Sequence, residues 1–382
     1  MDLFISLHKV TLLSTFKNES RLLTRHFSSL WSHPNEKVTT DPKQQLPKNS
    51  YWYGTNTQSE KPFLLKDSIK QITIQTCGPL YAEWRETRKA YVGAPKEGLS
   101  FNVEYVDTKE YVNNDKAPVL LTLHGAPGSH EAFHPLINHL APKGVRVIAP
   151  NWPEYAAIDW SKYFRHSTEE KTNFLHDFLR AIDVDRLDTV VSHSSGIYPS
   201  LSLYSDKKFP IKSIVLISPG AHRRTAGMKP AWFTDNLVRF TLNPIGRTIY
   251  RKCYKYAFKL IKPKIEANNP DNVILAATVM HLSGWTRQLP ELLEVVRQQK
   301  PNLLYIFGDQ DKLIEKEFFY EIAQILGAKD VHYTNYDGEG NCLAAGSKDD
   351  WIQIMKFEKA GHYPFLKYAN IVNLAIEEFI KK

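Results

Sequence analysis

From about residue 70 onward, short apolar runs alternate along the chain with segments whose apolar residues recur at helical spacing. The runs lack the apolar–polar alternation of a half-exposed strand, and a continuous run is typical of a strand buried on both faces of a parallel sheet. They are Pro118–Leu123, Val145–Ala149, Leu187–Val191, Ile211–Ile217 and Asn302–Phe307. Leu99–Val106 does alternate, and it predicts a further strand.

Helical patterns occupy the intervals between these strands. Ser129 is placed to cap a helix that runs through Leu140, and Ser167 with Glu170 forms a capping box ahead of an apolar stripe. Ile371–Ile380 closes the chain as an amphipathic helix. Strands that alternate with helices indicate an α/β protein with a doubly wound, mostly parallel sheet, whose reactive groups lie beyond the carboxyl ends of its strands.

The N-terminal region differs from the rest. Residues 1–37 are basic, rich in serine and poor in acids, and their apolar positions recur at helical spacing. Such a leader predicts a mitochondrial transit peptide, and the alternatives are a disordered or membrane-grazing arm and a secretory signal. Without a leader, a cytoplasmic location is expected. Residues 38–66 are polar and read as a linker.

Composition narrows the classes further. The 382 residues carry a formal net charge of +8, and 42% of them are hydrophobic, as in a soluble globular protein. The three cysteines are Cys77, Cys253 and Cys342, which are widely spaced. A disulfide framework or a zinc site is therefore not expected, and the chemistry that the motifs below predict needs no cofactor or metal. No apolar stretch approaches the length of a membrane span.

A serine-rich turn follows the third apolar run, with the sequence Ser192-His193-Ser194-Ser195-Gly196. The turn that holds a nucleophile between a strand and a helix needs small residues two before and two after it, since those backbones touch neighbours. Of the three serines, Ser194 alone meets this requirement. Two features depart from the pattern: Ser192 replaces the usual glycine, and Pro199 falls early in the following helix.

Three more segments supply partners for such a nucleophile. His124-Gly125-Ala126-Pro127-Gly128 follows the first apolar run, and it predicts an oxyanion hole formed by the amides of Ala126 and Ser195. Asp309 and Asp311 follow the strand at Asn302–Phe307, and Asp311 is preferred because it stands three residues after a glycine. His362 lies in a Gly-His-Tyr-Pro-Phe segment before the last helix. Each segment alone also reads as an ordinary turn.

The order of these segments carries the interpretation. A loop with free amides, then a serine, an aspartate and a histidine, each at a predicted strand end, is the order of an α/β hydrolase. Residues 117–366 resemble this superfamily, and His-Gly-Ala-Pro-Gly is similar to the HGxPG loop of its serine hydrolases. His124, Gly125, Gly128 and Gly196 belong to those motifs. His124–Phe133 and Ile217–Pro230 further resemble a nematode-expanded branch of unknown function.

The resemblance also implies the domain organisation. Residues 67–222 and 301–382 form the predicted hydrolase core, and residues 223–300 form a helical lid. Between Arg223 and Lys264 there are eleven lysines and arginines against one acid, Asp235. A solvated basic face explains this, and so does contact with an anionic substrate or a peripheral contact with an anionic membrane. Nucleic acid is disfavoured, because no recognition motif accompanies the charge.

Two functions of different classes follow. The first is a serine hydrolase in which Ser194, Asp311 and His362 cleave a small-molecule or lipid ester, or a thioester, through an acyl-enzyme. The second is a binding or scaffold protein that keeps the fold without the chemistry, which the irregular turn at Ser192 and the basic lid favour.

Overall fold

The computed structural model describes residues 63–112, 114, 116–153, 163–225, 231–261, 270–282 and 288–381. The predicted leader at residues 1–37 lies outside the described residues, as does nearly all of the predicted linker at 38–66. Residues 63–247 and 271–381 belong to one compact unit, which holds the sheet and every candidate site residue. Residues 248–261 and 270 belong to a second unit, in which residues 248–261 continue the helix Pro244–Ile261.

The first unit is built on a ten-stranded sheet. Its order is β1-β2-β4-β3-β5-β6-β7-β10-β8-β9. Seven neighbouring strands from β4 to β8 in this order run parallel, while β1, β2 and β9 pair antiparallel at the two edges. The strands are β1 Ile69–Thr76, β2 Leu99–Asp107, β3 Val119–Leu123, β4 Arg146–Pro150, β5 Leu187–His193, β6 Ile211–Ile217, β7 Asn302–Gly308, β8 Tyr333–Tyr336, β9 Cys342–Ala344 and β10 Ile352–Phe357.

The five continuous apolar runs are the central strands β3 to β7, as predicted, and the alternating segment is β2. Every residue of β3 and β4 is buried. Successive residues of a strand face opposite sides, so only a run without polar interruption fills both faces of a central strand. The α/β class and the doubly wound parallel sheet predicted from these runs are therefore confirmed.

Eleven α-helices are found in the described part of the chain. They are α1 Gly78–Thr87, α2 His134–Leu140, α3 Thr168–Ala181, α4 Ile197–Ser205, α5 Ala231–Leu242, α6 Pro244–Ile261, α7 Pro270–Leu282, α8 Gln288–Gln299, α9 Lys316–Ile325, α10 Pro364–Lys367 and α11 Ala369–Phe379. The four helices α5 to α8 lie between β6 and β7, where the helical lid is predicted.

Successive residues of the central strands pack into different apolar clusters, one on each face of the sheet. Ile214 of β6 belongs to a cluster with residues of α4, α8 and α9, whereas Val215 belongs to a cluster with residues of α2 and α11. A third cluster, around Phe174 and Phe178 of α3, covers the sheet near β1 and β2. The sheet thus separates two apolar layers, and its strand ends are left free to carry polar groups.

The predicted helix from Ser129 to Leu140 is two elements. Ser129 caps a 3₁₀ turn at His130–Phe133 by accepting the amide of Glu131. The α-helix begins only at His134, with Pro135 in its first turn. A proline lacks the amide that a preceding helical turn would use, so Pro135 starts a new helix and cannot continue one.

The capping box predicted at Ser167 and Glu170 is present, and it does more than start α3. The Ser167 hydroxyl accepts the Glu170 amide, and Glu170 accepts the Ser167 amide at 3.0 Å. Glu170 is fully buried, and it also accepts the Arg165 amide at 2.9 Å and the hydroxyls of Tyr81 and Tyr91 at 3.1 Å each. One carboxyl group therefore fixes α1 and the turn after it to the start of α3.

We expect Glu170→Ala to lower the free energy of unfolding by about 3 to 5 kcal/mol, because it leaves four buried donors without an acceptor. Urea unfolding monitored by circular dichroism measures the loss. Glu169→Ala is the matched control in the same turn, since the Glu169 side chain is 34% exposed. It should cost less than about 1 kcal/mol. Similar losses in the two variants would contradict the anchoring role of Glu170.

None of the helices in the described ranges combines the length and the apolar character that crossing a bilayer would require.

Candidate active site

Ser194 lies at the sharp turn where β5 gives way to helix. Its φ angle is +52°, in the left-handed region that side-chain-bearing residues rarely adopt. His193 before it is extended, and a 3₁₀ turn at Ser194–Gly196 leads directly into α4. The carbonyl of Ser194 accepts the amide of Gly220 at 2.9 Å, beyond the end of β6. The strained backbone is thereby held at the carboxyl edge of the sheet, where a reactive group is expected.

Two glycines allow neighbouring chains to approach this turn. A Cβ atom on Gly196 would lie 2.5 Å from the carbonyl oxygen of Leu123, at the end of β3. A Cβ atom on Gly125 would lie 2.7 Å from the Cβ of Ser194. Both distances exclude a side chain, so the predicted need for small residues around the nucleophile has a direct physical cause. They also place the Gly125 loop against Ser194.

The two departures from the usual pattern fit the structure. The Ser192 hydroxyl accepts a hydrogen bond from the Ser200 hydroxyl of α4 at 3.2 Å, so the extra side chain is satisfied where it is buried. Pro199 is the third residue of α4, whose first-turn amides have no partner within the helix. Pro199 therefore does not cost the helix one of its own hydrogen bonds, and the expected strain does not arise from such a loss.

The sequence left Asp309 and Asp311 as competing acids, and the structure brings Asp311 to the histidine. Oδ2 of Asp311 lies 2.6 Å from Nδ1 of His362. Oδ1 accepts the amides of Leu313 at 2.8 Å and Ile314 at 3.0 Å, and the Asp311 side chain is completely buried. Asp309 instead accepts the Tyr320 hydroxyl at 3.1 Å and lies near Lys356.

This pairing fixes the proton on His362. A carboxylate only accepts hydrogen bonds, so Nδ1 of His362 carries the hydrogen and Nε2 keeps its lone pair. The His362 side chain is 6% exposed. The ring is thus held in the tautomer that a general base requires.

The loops that carry the acid and the histidine are joined through their backbones. The amide of Gln310 donates to the carbonyl of Ala360 at 3.0 Å, and the amide of Asp309 donates to the carbonyl of Phe357 at 3.0 Å. A Cβ atom on Gly308 would lie 2.2 Å from that same Ala360 oxygen. The glycine before the acidic pair is therefore needed for close approach to the histidine loop.

His193, which the sequence did not single out, links the nucleophile to the histidine loop. Its Nε2 donates to the carbonyl oxygen of His362 at 3.0 Å. Its ring lies 4.8 Å from the ring of His362, 4.8 Å from that of Tyr363 and 5.0 Å from that of Phe365. Because His193 directly precedes Ser194, this contact holds the histidine loop next to the candidate nucleophile.

His124 supports the loop opposite Ser194. Nδ1 of His124 donates to the carbonyl of Gly125 at 2.7 Å, and Nε2 accepts the amide of Trp152 at 3.2 Å. The indole Nε1 of Trp152 in turn donates a hydrogen bond to the His124 carbonyl at 2.9 Å. Burial lowers the pKa of His124 to about 3, so the ring stays neutral. Trp152 is a second supporting residue that the sequence did not indicate.

The predicted oxyanion donors, the amides of Ala126 and Ser195, are sequence neighbours of Gly125 and Ser194, and a Cβ atom on Gly125 would lie 2.7 Å from the Cβ of Ser194. Ala126 follows Gly125, whose backbone touches Ser194, and Pro127 after it has no amide to offer. Ser195 is the second residue of the helical turn that begins at Ser194, so its amide is among those without a partner earlier in the helix. Both positions suit donors aimed at an oxygen bound to the Ser194 substrate.

The buried histidines predict a pH dependence of stability. Burial lowers the pKa of His124 to about 3 and holds the pKa values of His166 and His193 well below their ordinary range. The unfolded chain therefore binds more protons below about pH 6.5, and stability falls as the pH drops. Burial raises the pKa of Glu170 to about 7, which acts in the opposite sense and offsets about one proton.

We therefore expect a net uptake of about two protons on unfolding between pH 6 and 5. The free energy of unfolding should fall by roughly 2 to 3 kcal/mol per pH unit. Urea titrations across this interval measure the slope, and His193→Gln should reduce it by about one proton. A slope that His193→Gln leaves unchanged would contradict the neutral state of His193.

Across the described ranges, no group of three or more His, Cys, Asp or Glu side chains is arranged to hold a metal ion.

Comparison with known proteins agrees with this architecture. A sequence model of a family described as an alpha/beta hydrolase of unknown function (DUF1057) matches residues 85–378. An uncharacterized protein of Caenorhabditis elegans is 21% identical over 288 residues, which cover 73% of this chain and 76% of that protein. This similarity is consistent with the nematode branch that the sequence resembles.

Solved structures share the fold. An esterase of Thermogutta terrifontis superposes with a TM-score of 0.50 at 16% identity, over 82% of this chain and 98% of that one. A carboxylesterase of Nitrososphaera gargenis gives a TM-score of 0.50 at 12% identity, over 74% of this chain and 96% of that one. At such low identities these likenesses concern the fold alone.

Proposed function

The chain belongs to the DUF1057 family of α/β hydrolases, and from this premise we propose that it is a serine hydrolase that cleaves an ester or thioester through an acyl-enzyme on Ser194. The single observation that carries the proposal is the Asp311–His362 pair at 2.6 Å, held beside the strained Ser194 turn by His193. Such a pair is what a serine hydroxyl needs to become a nucleophile.

In the proposed reaction, Nε2 of His362 takes the hydroxyl proton of Ser194 while its oxygen attacks the carbonyl carbon. Asp311 is fully buried and stabilises the imidazolium through Nδ1. The amides of Ala126 and Ser195 hold the developing oxyanion. His362 then returns the proton to the leaving alcohol or thiol. Water, activated by the same histidine, attacks the acyl-enzyme and releases the acid and Ser194.

The neutral state of the buried His193 is compatible with a positive charge on His362 during the reaction. A positive charge forms on His362 during the reaction, and a second cation beside it would oppose that step. The pKa of His193 is held well below its ordinary range, first by burial and then by the charge of His362. His193 thus donates its hydrogen bond to the His362 carbonyl without competing for the proton.

The rival function is a scaffold that lacks the chemistry, and its support was the irregular turn around Ser194 together with the basic lid, which either function can use. Ser192 is hydrogen-bonded, and Pro199 sits where a helix tolerates proline. Neither departure distorts the turn, so the hydrolase is the better interpretation.

The test is to incubate the purified full chain with a fluorophosphonate probe and map the modified peptide by mass spectrometry. The expected result is one adduct, on Ser194. Solved structures that share the fold include esterases. Short-chain and long-chain acyl esters, together with acyl thioesters, are therefore the first substrates to assay. A folded protein that is neither labelled nor active on any of them would support the scaffold instead.

A further inference from the structure

Helix α5 and the start of α6 expose three large apolar side chains. Trp232 is 55% exposed, Phe240 is 46% exposed and Ile245 is 72% exposed. We call these residues, together with the exposed Arg239, the α5–α6 surface. The opposite side of α5 is packed, since Val238 is fully buried. The exposed residues are therefore not the core-facing stripe of the helix.

Phe240 and Ile245 lie close together, whereas Trp232 stands near the start of α5. A Cβ atom on Gly246 would lie 2.1 Å from the carbonyl oxygen of Phe240 and 3.1 Å from its ring, so the first turn of α6 packs directly on Phe240. Ile245 precedes that glycine. Trp232 stands eight residues before Phe240 in the same helix, roughly 12 Å along the axis and within about 80° around it. Trp232 and Phe240 therefore share one side of α5, and the exposed Arg239 lies along the same side.

The turn between α5 and α6 is well held. Nε of Arg247, which is buried, donates to the carbonyl of Thr241 at 3.2 Å. The Asn243 side chain accepts the amide of Ile245 at 2.9 Å, as a helix cap does. The α5–α6 surface is thus presented on a fixed support.

The surrounding charge identifies the kind of partner. Arg223 through Lys264 carries eleven basic residues and one acid, which is two more positive charges than the +8 of the whole chain. The remainder of the protein is therefore net negative. The one acid, Asp235, is already paired with Arg224 at 3.1 Å and with His281 at 3.0 Å. This excess of basic residues along the segment favours an anionic partner.

We propose that the α5–α6 surface docks the protein on an anionic lipid bilayer. Trp232, Phe240 and Ile245 enter the interface between headgroups and acyl chains, while Arg239 contacts the lipid phosphates. A nucleic acid satisfies the charge equally well, but it leaves three exposed apolar side chains unexplained. A bilayer accounts for both features, and aromatic residues favour its interfacial region.

The test is cosedimentation of the full chain with vesicles of phosphatidylcholine alone or mixed with phosphatidylserine, without substrate. Wild type should pellet with the mixed vesicles only. The double variant Trp232→Ser/Ile245→Ser should bind about tenfold more weakly, and Arg239→Gln about three- to fivefold more weakly. The wild type and all variants carry the same residues 1–37, so any vesicle binding by those residues contributes equally to every measurement.

The matched control is Val331→Ser/Leu343→Ser, because each of these side chains is 57% exposed in the same unit, outside the basic segment. It should bind as wild type does. Equal binding by the two double variants would overturn the proposal, as would no sedimentation of wild type or retention on single-stranded DNA in place of vesicles. All three variants alter exposed side chains, and unchanged urea midpoints verify that each is folded. The assay uses no turnover, so its result is independent of the proposed hydrolysis.

Discussion

Ser194→Ala should lower the second-order rate of fluorophosphonate labelling by at least about 10⁴-fold, to the background of an unreactive surface. The reason is that the hydroxyl is the atom that bonds to the probe, and no neighbouring group replaces it. Labelling kinetics followed by gel fluorescence measure the change. Ser202→Ala, a partly buried serine further along α4, is the control and should label at the wild-type rate. An adduct that persists in Ser194→Ala would move the nucleophile elsewhere.

The backbone at Ser194 sharpens this experiment. At a φ of +52° a side chain is strained and glycine is not. We expect Ser194→Gly to raise the free energy of unfolding by up to about 1 kcal/mol while it abolishes labelling. A gain in stability with a complete loss of reactivity is what a strained active-site residue produces, whereas an ordinary turn serine does not couple the two.

Asp311→Asn should reduce the labelling rate by about 10³- to 10⁴-fold. The amide neither stabilises the imidazolium of His362 nor holds the hydrogen on its Nδ1. Asp309→Asn is the matched control two residues earlier. Its side chain is 23% exposed and contacts Tyr320 and Lys356, so a change of less than about threefold is expected. Losses of similar size in the two variants would show that the acid does not act through His362.

The sequence predicted the central sheet well because burial on both faces leaves no room for polar residues. The edge strands were harder to predict, because they are partly exposed and therefore tolerate polar residues. Ile69–Thr76 has one fully exposed face, with Gln71, Thr73 and Gln75, and all four residues of Tyr333–Tyr336 are half-buried. Such strands are defined by the neighbour they pair with, and a single sequence does not show that neighbour.

The candidate site divides in the same way. Ser194 was chosen from three serines by the size of its neighbours, and the contacts of Gly196 and Gly125 explain why size decides. The roles of His193 and Trp152 depend on which loops meet in space. His193 touches a residue 169 positions away, and nothing in its local sequence indicates that contact.

The bond from His193 to the His362 carbonyl has a mechanical consequence. Ser194 directly follows strand β5, and His193, the last residue of that strand, is hydrogen-bonded to the loop that carries His362. A small shift of the strand therefore displaces both reacting groups together, and their separation changes little. Thermal fluctuation of the sheet should leave the two groups in register, so heat should inactivate this site only when the central strands themselves come apart.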